Sequence, residues 1–240
     1  MVETIPAGGT TLERDEHVIA QITKIGSMKI TLETNDTTVL TSPDDFREKS
    51  GALFEAGTIP IEGFFYPDDI DGQIALAADQ LAKTKQSFVI TFPPAKVIAT
   101  WSFTALVTEF EIGDYATGGE IGFKASLTPC TGKPILAIGA SVGLTTTFFS
   151  ISESAVIVPA PSNDEYEYVA TVLTGVTSVT VTPIATAGVI TVNGNVVETE
   201  EASSAITLGA AGSVTDITII VTETGKVAKT YVIHVARASS

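Results

Sequence analysis

The sequence predicts a mainly β protein with a single helix. Thr and Val are abundant, Gly is frequent and helix formers are sparse among the 240 residues, a composition that favours strands. Apolar and polar side chains alternate with period 2 over much of the chain, which is typical of half-buried antiparallel strands. At roughly 100–200 residues per domain, the length predicts one or two domains.

The N-terminal region predicts an arm followed by three strands. Residues 1–14 are polar and contain a Gly-Gly pair, which favours an arm. Val18–Thr23 and Ser27–Leu32 alternate and predict a hairpin that turns at Ile25–Gly26. Thr37–Thr41 predicts a short third strand.

A long irregular segment, at about residues 42–57, interrupts this pattern. It combines Pro, Gly and several charged residues with two isolated aromatic residues, Phe46 and Phe54. A loop of this length inside a compact domain is usually functional or disordered. From the residues alone, a contact loop and a solvated loop both remain open.

The one convincing helix is predicted at about residues 70–85, after a strand at Thr58–Tyr66. Three aspartates lie at its start and two lysines at its end, and both suit the helix dipole. An apolar stripe at helical spacing predicts a face that lies on a sheet. The stripe consists of Ile70, Ile74, Ala77, Ala78 and Leu81.

The strongest strand pattern runs from Ser87 to Gly132. Ser87–Phe92 and Lys96–Val107 alternate, a turn is predicted at Gly113–Gly119, and alternation then returns. The apolar face changes parity near Leu106, and one extra residue at a β-bulge would produce that change.

From about residue 148 the chain is rich in Thr, Ser and Val and predicts a second β domain. Short strands separated by turn residues recur there, and their spacing indicates an immunoglobulin-like sandwich. The predicted strands are Ala155–Val158, Tyr166–Val172, Ser178–Thr182, Val189–Val192, Ala205–Leu208, Thr215–Thr222 and Lys229–Ala236. We therefore place one domain at 1–140 and a second at 148–240.

The net charge of −15 limits the classes of function. A conventional nucleic-acid grip needs Lys and Arg to replace the counterions on phosphates, so the charge argues against one. Solubility and repulsion of DNA are both compatible with an acidic surface. Cys130 is the only cysteine, so no intrachain disulfide or thiolate metal site is expected. The sequence shows no secretory leader and no run that could cross a bilayer, so we expect assembly in the cytoplasm and no membrane insertion.

No constellation of residues indicates catalysis, a cofactor or a metal. His17 and His234 lie in different predicted domains, and a zinc or Ser-His-Asp site needs more convergent partners. The aspartates before the helix lack the spacing of a calcium loop, so helix capping is the better interpretation. Trp101, Phe103 and Phe123 could suggest carbohydrate binding, but their in-register spacing favours core residues. We therefore expect that the protein is not an enzyme.

Two segments resemble known families. The helix followed by SFVITFPPAKVIATWSFTALVTEFEIGDYATGGEIGFKASLTPCTGKPIL resembles the tail tube, or major tail, protein of long-tailed bacteriophages, over roughly residues 1–138. The shared order is a helix, a strand that ends in FP, a long hairpin and a strand that runs into TGKP. Residues 148–240 resemble the cadherin-like β-sandwich modules of bacterial surface and phage proteins. That resemblance is carried by Tyr166, Tyr168, the Val192-Asn193-Gly194 turn and the strand Tyr231–Val235.

The first resemblance implies a fold, a function and a set of partners. It implies a tail-tube-type β-sandwich or barrel with one flanking helix, whose copies form stacked hexameric rings in a long non-contractile tail. DNA would pass through the lumen of the virion tail without specific binding, and tape measure, tail terminator and tip proteins would be partners. No cofactor is implied. The cadherin-like module would point outward, with at most weak contact to host-surface glycans.

In the resembled family a long loop reaches the next ring. The arm at 1–14, the 42–57 segment and the Gly113–Gly119 hairpin are therefore the predicted contact regions. Candidate residues for contacts between subunits or rings are Asp44, Asp45, Phe46, Arg47, Glu48, Phe54, Asp114 and Tyr115.

Two alternatives remain open at this stage. A cell-surface adhesin or carbohydrate-binding β-sandwich protein would share the predicted strands, although it would need to be exported. A tail terminator or connector ring protein would share the ring but gives no reason for the C-terminal sandwich.

Overall fold

The structure is a computed structural model that describes residues 6–39, 47–95, 97–113, 119–153, 156–160 and 165–239. The chain separates into two compact units, Met1–Leu136 and Ala137–Ser240. Each has its own apolar core. The mainly β class predicted from the sequence is confirmed.

The first unit is built on a curled, half-barrel sheet of seven strands. The strands of this unit are β1 (Thr11–Arg14), β2 (His17–Val18), β3 (Ile22–Ile25), β4 (Ile30–Asp36), β5 (Lys49–Ala56), β6 (Ile59–Phe64), β7 (Lys85–Thr91), β8 (Ala99–Gly113) and β9 (Gly122–Ile138). The sheet order is β2-β1-β7-β8-β9-β6-β3, while β4 and β5 pair only with each other. The sheet curls enough for β1 to contact β3.

Alternation along β6 and β9 explains how the core is filled. Ile59 and Ile61 on β6 face the core and pair with Leu127 and Ala125 on β9. Gly63 pairs with Phe123, and a Cβ at this glycine would lie 2.5 Å from the Phe123 ring. Glycine therefore leaves the space in which the buried ring packs.

The helical segment is shorter and differently oriented than predicted. A π-helical turn at Ile70–Ile74 leads into the α-helix α1, Ala75–Ala82. The prediction of a helix to residue 85 is wrong at its end, because Lys83 adopts a left-handed conformation and β7 begins at Lys85. The two predicted lysines therefore lie beyond the last helical turn.

The predicted apolar stripe of this helix is also wrong. Ile70 and Leu81 are 67% and 84% exposed, whereas Leu76, Gln73 and Asp79 are buried. A π turn holds more residues per turn than an α-helix. The 3.6-residue period used for the prediction therefore loses its phase across residues 70–74.

Three predictions in the N-terminal region are corrected by strand pairing. Residues 11–14 are not part of an arm, since β1 lies inside the sheet and buries Leu12. The predicted hairpin of 18–23 with 27–32 does not form, because β2 pairs with β1, β3 with β6 and β4 with β5. Residues 37–39 are not in a strand. Alternation locates a strand but carries no information on its partner.

The second unit is a β-sandwich with β11-β12-β19-β18-β15-β16 as its main sheet. Its strands are β10 (Leu144–Ile151), β11 (Val156–Val158), β12 (Glu167–Val172), β13 (Ser178–Val179), β14 (Val181–Ala185), β15 (Val189–Val192), β16 (Asn195–Val197), β17 (Ile206–Thr207), β18 (Val214–Thr222) and β19 (Lys229–Arg237). Tyr168 and Tyr231 are fully buried in its core. The predicted sandwich is confirmed.

Candidate assembly interface

A two-stranded ribbon, formed by β4 and β5, is separate from the seven-stranded sheet of the first unit. Its register pairs Ile30 with Ala56, Leu32 with Phe54 and Asp36 with Lys49. Every residue of β4 is exposed, as are most residues of β5. The interpretation of 42–57 as an irregular loop is therefore wrong for residues 49–56, which form a strand.

The ribbon exposes large apolar side chains near its base. Leu53 is 77% exposed and Phe54 65% exposed, and Ile30 and Leu32 are also exposed. An isolated two-stranded hairpin is marginally stable in water. Clusters of exposed apolar side chains mark interaction surfaces. The ribbon thus has the properties of a surface that is covered in an assembly.

Polar contacts close the outer end of the described part of the ribbon. The Thr38 hydroxyl and N–H donate to Asp36 Oδ1, at 2.5 and 2.9 Å, and Arg47 Nη1 lies 3.7 Å from Asp36 Oδ2. The two Thr38 hydrogen bonds, the hydroxyl one first, lower the pKa of Asp36. Glu48 N donates to Thr38 Oγ1 and Glu48 O accepts from Thr37 N. These bonds hold the two strands in register beyond the apolar base.

The structure places three of the predicted contact residues on the ribbon. Arg47 and Glu48 lie at the outer end beside Asp36, whereas Phe54 lies near the base opposite Leu32. The structure therefore puts them at two separate places on one element. The remaining candidates, Asp44, Asp45, Phe46, Asp114 and Tyr115, lie outside the described residues. That any of the eight contacts another subunit stays a prediction.

The terminal strands of the seven-stranded sheet form a second part of the candidate interface. Within the described residues, β2 and β3 each pair on one side only. Unpaired edges present N–H and C=O groups that can pair with another chain. Periodicity cannot find this feature, because it does not reveal which strand ends a sheet.

A buried carboxylate, Asp69, holds the segment between β2 and β3 against the start of the helical segment. Asp69 is 5% exposed and its Oδ2 accepts from Ala20 N at 3.0 Å and from Gln73 N at 2.9 Å. Its Oδ1 lies 3.1 Å from His17 Nε2. Burial by itself would raise the pKa of Asp69, but these hydrogen bonds outweigh it and lower the pKa. The prediction that an aspartate here caps the helix is confirmed.

Gln73 extends this polar cluster to β6. The side chain is fully buried, and its Nε2 donates to Ala20 O at 2.8 Å and to Phe64 O at 3.0 Å. Its Oε1 accepts from Tyr66 N at 2.9 Å. Every polar atom of the side chain is thus satisfied, as a buried amide requires. The cluster fixes the chain on both sides of the helix start.

An ion pair attaches β1 to the helix. Arg14 Nε and Nη2 donate to the two carboxylate oxygens of Asp79, at 2.5 and 3.0 Å. Gln86 on β7 donates to the same carboxylate at 3.2 Å. A two-point contact of this kind fixes orientation as well as distance.

Two open cavities adjoin the ribbon and the sheet. One, of about 530 Å³, is lined mainly by apolar residues that include Ile22, Met28, Ile90 and Trp101. The Trp101 Nε1 is buried and has no hydrogen-bond partner among the described residues. The other, of about 550 Å³, lies between the ribbon base and residues 128–134 of β9.

The described residues contain no group of three or more His, Cys, Asp or Glu side chains that could hold a metal ion. They also contain no helix that is long and apolar enough to span a membrane. His234 pairs with Asp216 at 2.7 Å in the second unit, and its side chain is 35% exposed.

The C-terminal part of the chain matches a known protein family. Residues 145–238 match the family described as cadherin-like beta sandwich domain. No curated protein matches the sequence.

Several solved structures are similar over part of the chain. A chain from the virion of a native gene transfer agent particle is 18% identical over 57% of this chain and 100% of its own, with a TM-score of 0.46. A chain from the sheath/tube terminator of an extracellular contractile injection system is 13% identical over 57% and 99%, with a TM-score of 0.46. A chain from the tube-terminating cap of the anti-feeding prophage is 13% identical over 58% and 94%, with a TM-score of 0.47.

The structure and the family match together establish the fold. The chain is mainly β, with a curled half-barrel sheet and one flanking helix in its first unit, and its C-terminal part is a cadherin-like β-sandwich.

Proposed function

We propose that the protein is a structural subunit of a phage-type tail, in which copies associate into stacked rings that form the tail tube. The observation that carries the proposal is the ribbon. It places Leu53 and Phe54 in solvent on an element that has no core of its own. An assembly that covers the ribbon would offset the cost of this exposure.

The open edges of the curled sheet supply the second contact. β2 and β3 are the terminal strands of the sheet order, and each has one unpaired side among the described residues, so an edge of one copy can pair with an edge of the next. A contact of this head-to-tail type closes into a ring when the rotation between copies is a simple fraction of a full turn. Ring closure also removes edges that would otherwise promote aggregation.

The acidity of the chain is compatible with a tube that passes DNA. The chain has a net charge of −15. In this proposal carboxylates line the lumen, where they repel the phosphates of DNA and prevent the DNA from binding to the wall. We propose six copies per ring and a non-contractile tail, as the sequence resemblance implies. Tape measure, terminator and tip proteins would be the partners in the virion, after assembly in the host cytoplasm.

The proposal extends to this chain the kind of role that the similar structures have, as a part of a tail or tube. It assigns no enzymatic activity to the chain. The cadherin-like module decorates the outer surface of the tube in this proposal and binds host-surface glycans weakly or not at all.

Electron microscopy of the purified 240-residue chain tests the proposal. We expect rings and hollow tubes as concentration rises. In a variant without the ribbon, residues 30–56 are replaced by Asn-Gly. This two-residue turn can close the gap because Lys29 O already accepts from Gly57 N at 2.7 Å. The variant should fold and fail to form tubes.

Point variants make the test specific to the apolar base of the ribbon. Leu53→Asp should abolish assembly, whereas Val196→Asp, on a similarly exposed valine of the second unit (67% against 77%), should not. Monomers of the wild type at every concentration and salt tested would contradict the proposal and favour an adhesin. Single rings that never stack would favour a terminator.

A further inference from the structure

The ribbon and the β3–β6 pair belong to one long chain reversal. β3 continues into β4 and β5 continues into β6, and both pairs are antiparallel. The strand pairing along this reversal is interrupted between β3 and β4, at residues 26–29, and between β5 and β6, at residues 57–58. At this interruption Gly26 N donates to Pro60 O and Gly57 N donates to Lys29 O, each at 2.7 Å. The two halves are thus joined by a short, hydrogen-bonded bend.

Gly26 is required by space and not by backbone conformation. A Cβ at this position would lie 2.5 Å from both Cγ and Cδ of Pro60 and 3.0 Å from Pro60 O. Its φ is not among the positive values in the chain. The backbone of residue 26 therefore packs directly on the proline ring.

Pro60 explains why the ladder stops here. Within a strand, the N–H and C=O of one residue point to the same side. The C=O of Pro60 points to β3, because it accepts from Gly26 N. The N–H that proline lacks is therefore missing on that side, and the ring occupies the place of the next ladder bond.

Gly57 lies across the bend and offers a contrast. A Cβ there would meet only Lys29 O at 3.5 Å and Lys29 Cβ at 3.6 Å, which are ordinary van der Waals distances. Of the two glycines at the bend, only Gly26 has a close backbone approach. The close packing at the bend is thus on the Gly26–Pro60 side.

We propose that the packing of Gly26 on Pro60 is a positioning contact that sets the direction in which the ribbon leaves the sheet, and that assembly requires this direction. The proposal deepens and rests on the proposed function, because the ribbon matters in this way only if it contacts another copy. It adds a pair of residues that act through the direction of the ribbon and not by contact with the next copy.

Because the ribbon is long, a small rotation at the bend should move its outer end by a measurable distance. A Cβ at residue 26 must move from 2.5 Å to at least 3.4 Å from the ring, which is a displacement of about 1 Å. Across the spacing of two strands, about 4.8 Å, this is a rotation of roughly 12°. The seven residues of β4 span about 23 Å, so the outer end would move by roughly 5 Å.

A spin-label distance measurement tests the positioning without any assembly. Cys130 is the only cysteine, so Cys130→Ser permits labels at Ser50, at the outer end, and Ser87, on β7, both exposed. Gly26→Ala should shift the mean Ser50–Ser87 distance by several ångström. Gly57→Ala, the matched control, should leave it unchanged. An unchanged distance in Gly26→Ala would overturn the proposal.

A rescue variant separates positioning from general damage. In Gly26→Ala with Pro60→Ala the Cγ and Cδ atoms are gone, so the nearest obstacle is the carbonyl oxygen at 3.0 Å. We expect Gly26→Ala to fold but to form no tubes at the wild-type concentration, and the double variant to recover both the distance and the tubes. If Gly26→Ala formed tubes with the same axial rise per ring as the wild type, the requirement for this direction would be refuted. Absence of tubes in the wild type would instead refute the proposed function, whatever the distances show.

Discussion

Asp69 is a polar residue at which a single change should strongly destabilise the first unit. Asp69→Ala removes the acceptor for Ala20 N–H and Gln73 N–H in a site where the carboxylate is 5% exposed. It also removes the side-chain cap of the helical segment. The two donors have no other described partner, and water has little access to them. The variant should therefore fold with a large loss of stability.

The size of this loss follows from the bonds that are broken. Each buried donor left unsatisfied costs about 1–3 kcal/mol, and loss of an N-cap costs about 1 kcal/mol. The Gln73 N–H is counted in both, and His17 adds little because its side chain is 46% exposed. A loss of about 3 kcal/mol is expected for the first unit. Domains of this size are stable by only about 5–15 kcal/mol.

Urea unfolding followed by tryptophan fluorescence measures this loss in the correct unit. Trp101 is the only tryptophan and belongs to the first unit, so its emission does not report on the second. With a urea dependence of about 2 kcal/mol per molar, the midpoint should fall by about 1.5 M. Far-ultraviolet circular dichroism should show that the transition of the second unit does not move.

Asp68→Ala is the matched control, because Asp68 is the adjacent carboxylate and is exposed. Exposed substitutions usually change stability by no more than about 0.5 kcal/mol, so its midpoint should stay within about 0.25 M of the wild type. If Asp69→Ala also stays within that range, the polar cluster does not hold the unit together and the reasoning fails.

Three further predictions concern the same unit, each read from the urea midpoint of tryptophan fluorescence. The folded-state pKa of Asp69 is lowered, so the stability that the ionised carboxylate contributes is complete above its unfolded pKa of about 3.9 and is lost as pH falls through the folded pKa. The urea midpoint measured against pH should show this loss. In Asp69→Asn most of this pH dependence should be absent. Arg14→Lys should cost about 1.5 kcal/mol, because lysine keeps the charge near Asp79 but cannot make both bonds; an unchanged midpoint would show that the second bond adds nothing. Gly63→Ala should cost about 2 kcal/mol, because its Cβ would lie 2.5 Å from both the Phe123 ring and the backbone oxygen of Gln21, and full stability would mean that the ring and this backbone both yield at little cost.

Strands with one buried face are the part of the fold that sequence reasoning predicts well. Ile59 and Ile61 alternate with exposed residues because one face of β6 lies on the core, and period 2 reports that directly. The strands of the second unit are recovered for the same reason. β16 at Asn195–Val197 is missed because three residues contain too little alternation. β10 at Leu144–Ile151 is also missed, and its register shifts between Leu144 and Phe149.

The ribbon could not be predicted in this way because its two faces have the same environment. Where Leu53 and Phe54 are both exposed, no alternation separates inside from outside, and the segment resembles a loop. On β4 the local signals of a strand are its Thr and Ile content and the alternation that ends at Leu32. Of the contact candidates, Phe54 lies on the ribbon, and Arg47 and Glu48 lie beside its outer end. The segment that contains them was predicted as a loop, whereas residues 49–56 form a strand.

The sequence by itself determined the mainly β class and the sandwich of the C-terminal part, because these follow from local alternation and from turn residues. The tertiary structure alone decided which strands pair, that β2 and β3 end the sheet, that Asp69 binds the 17–21 segment, and that Gly26 packs on Pro60. Each of these is a contact between residues distant in sequence. A periodic pattern describes the environment of one residue and holds no information on its partner.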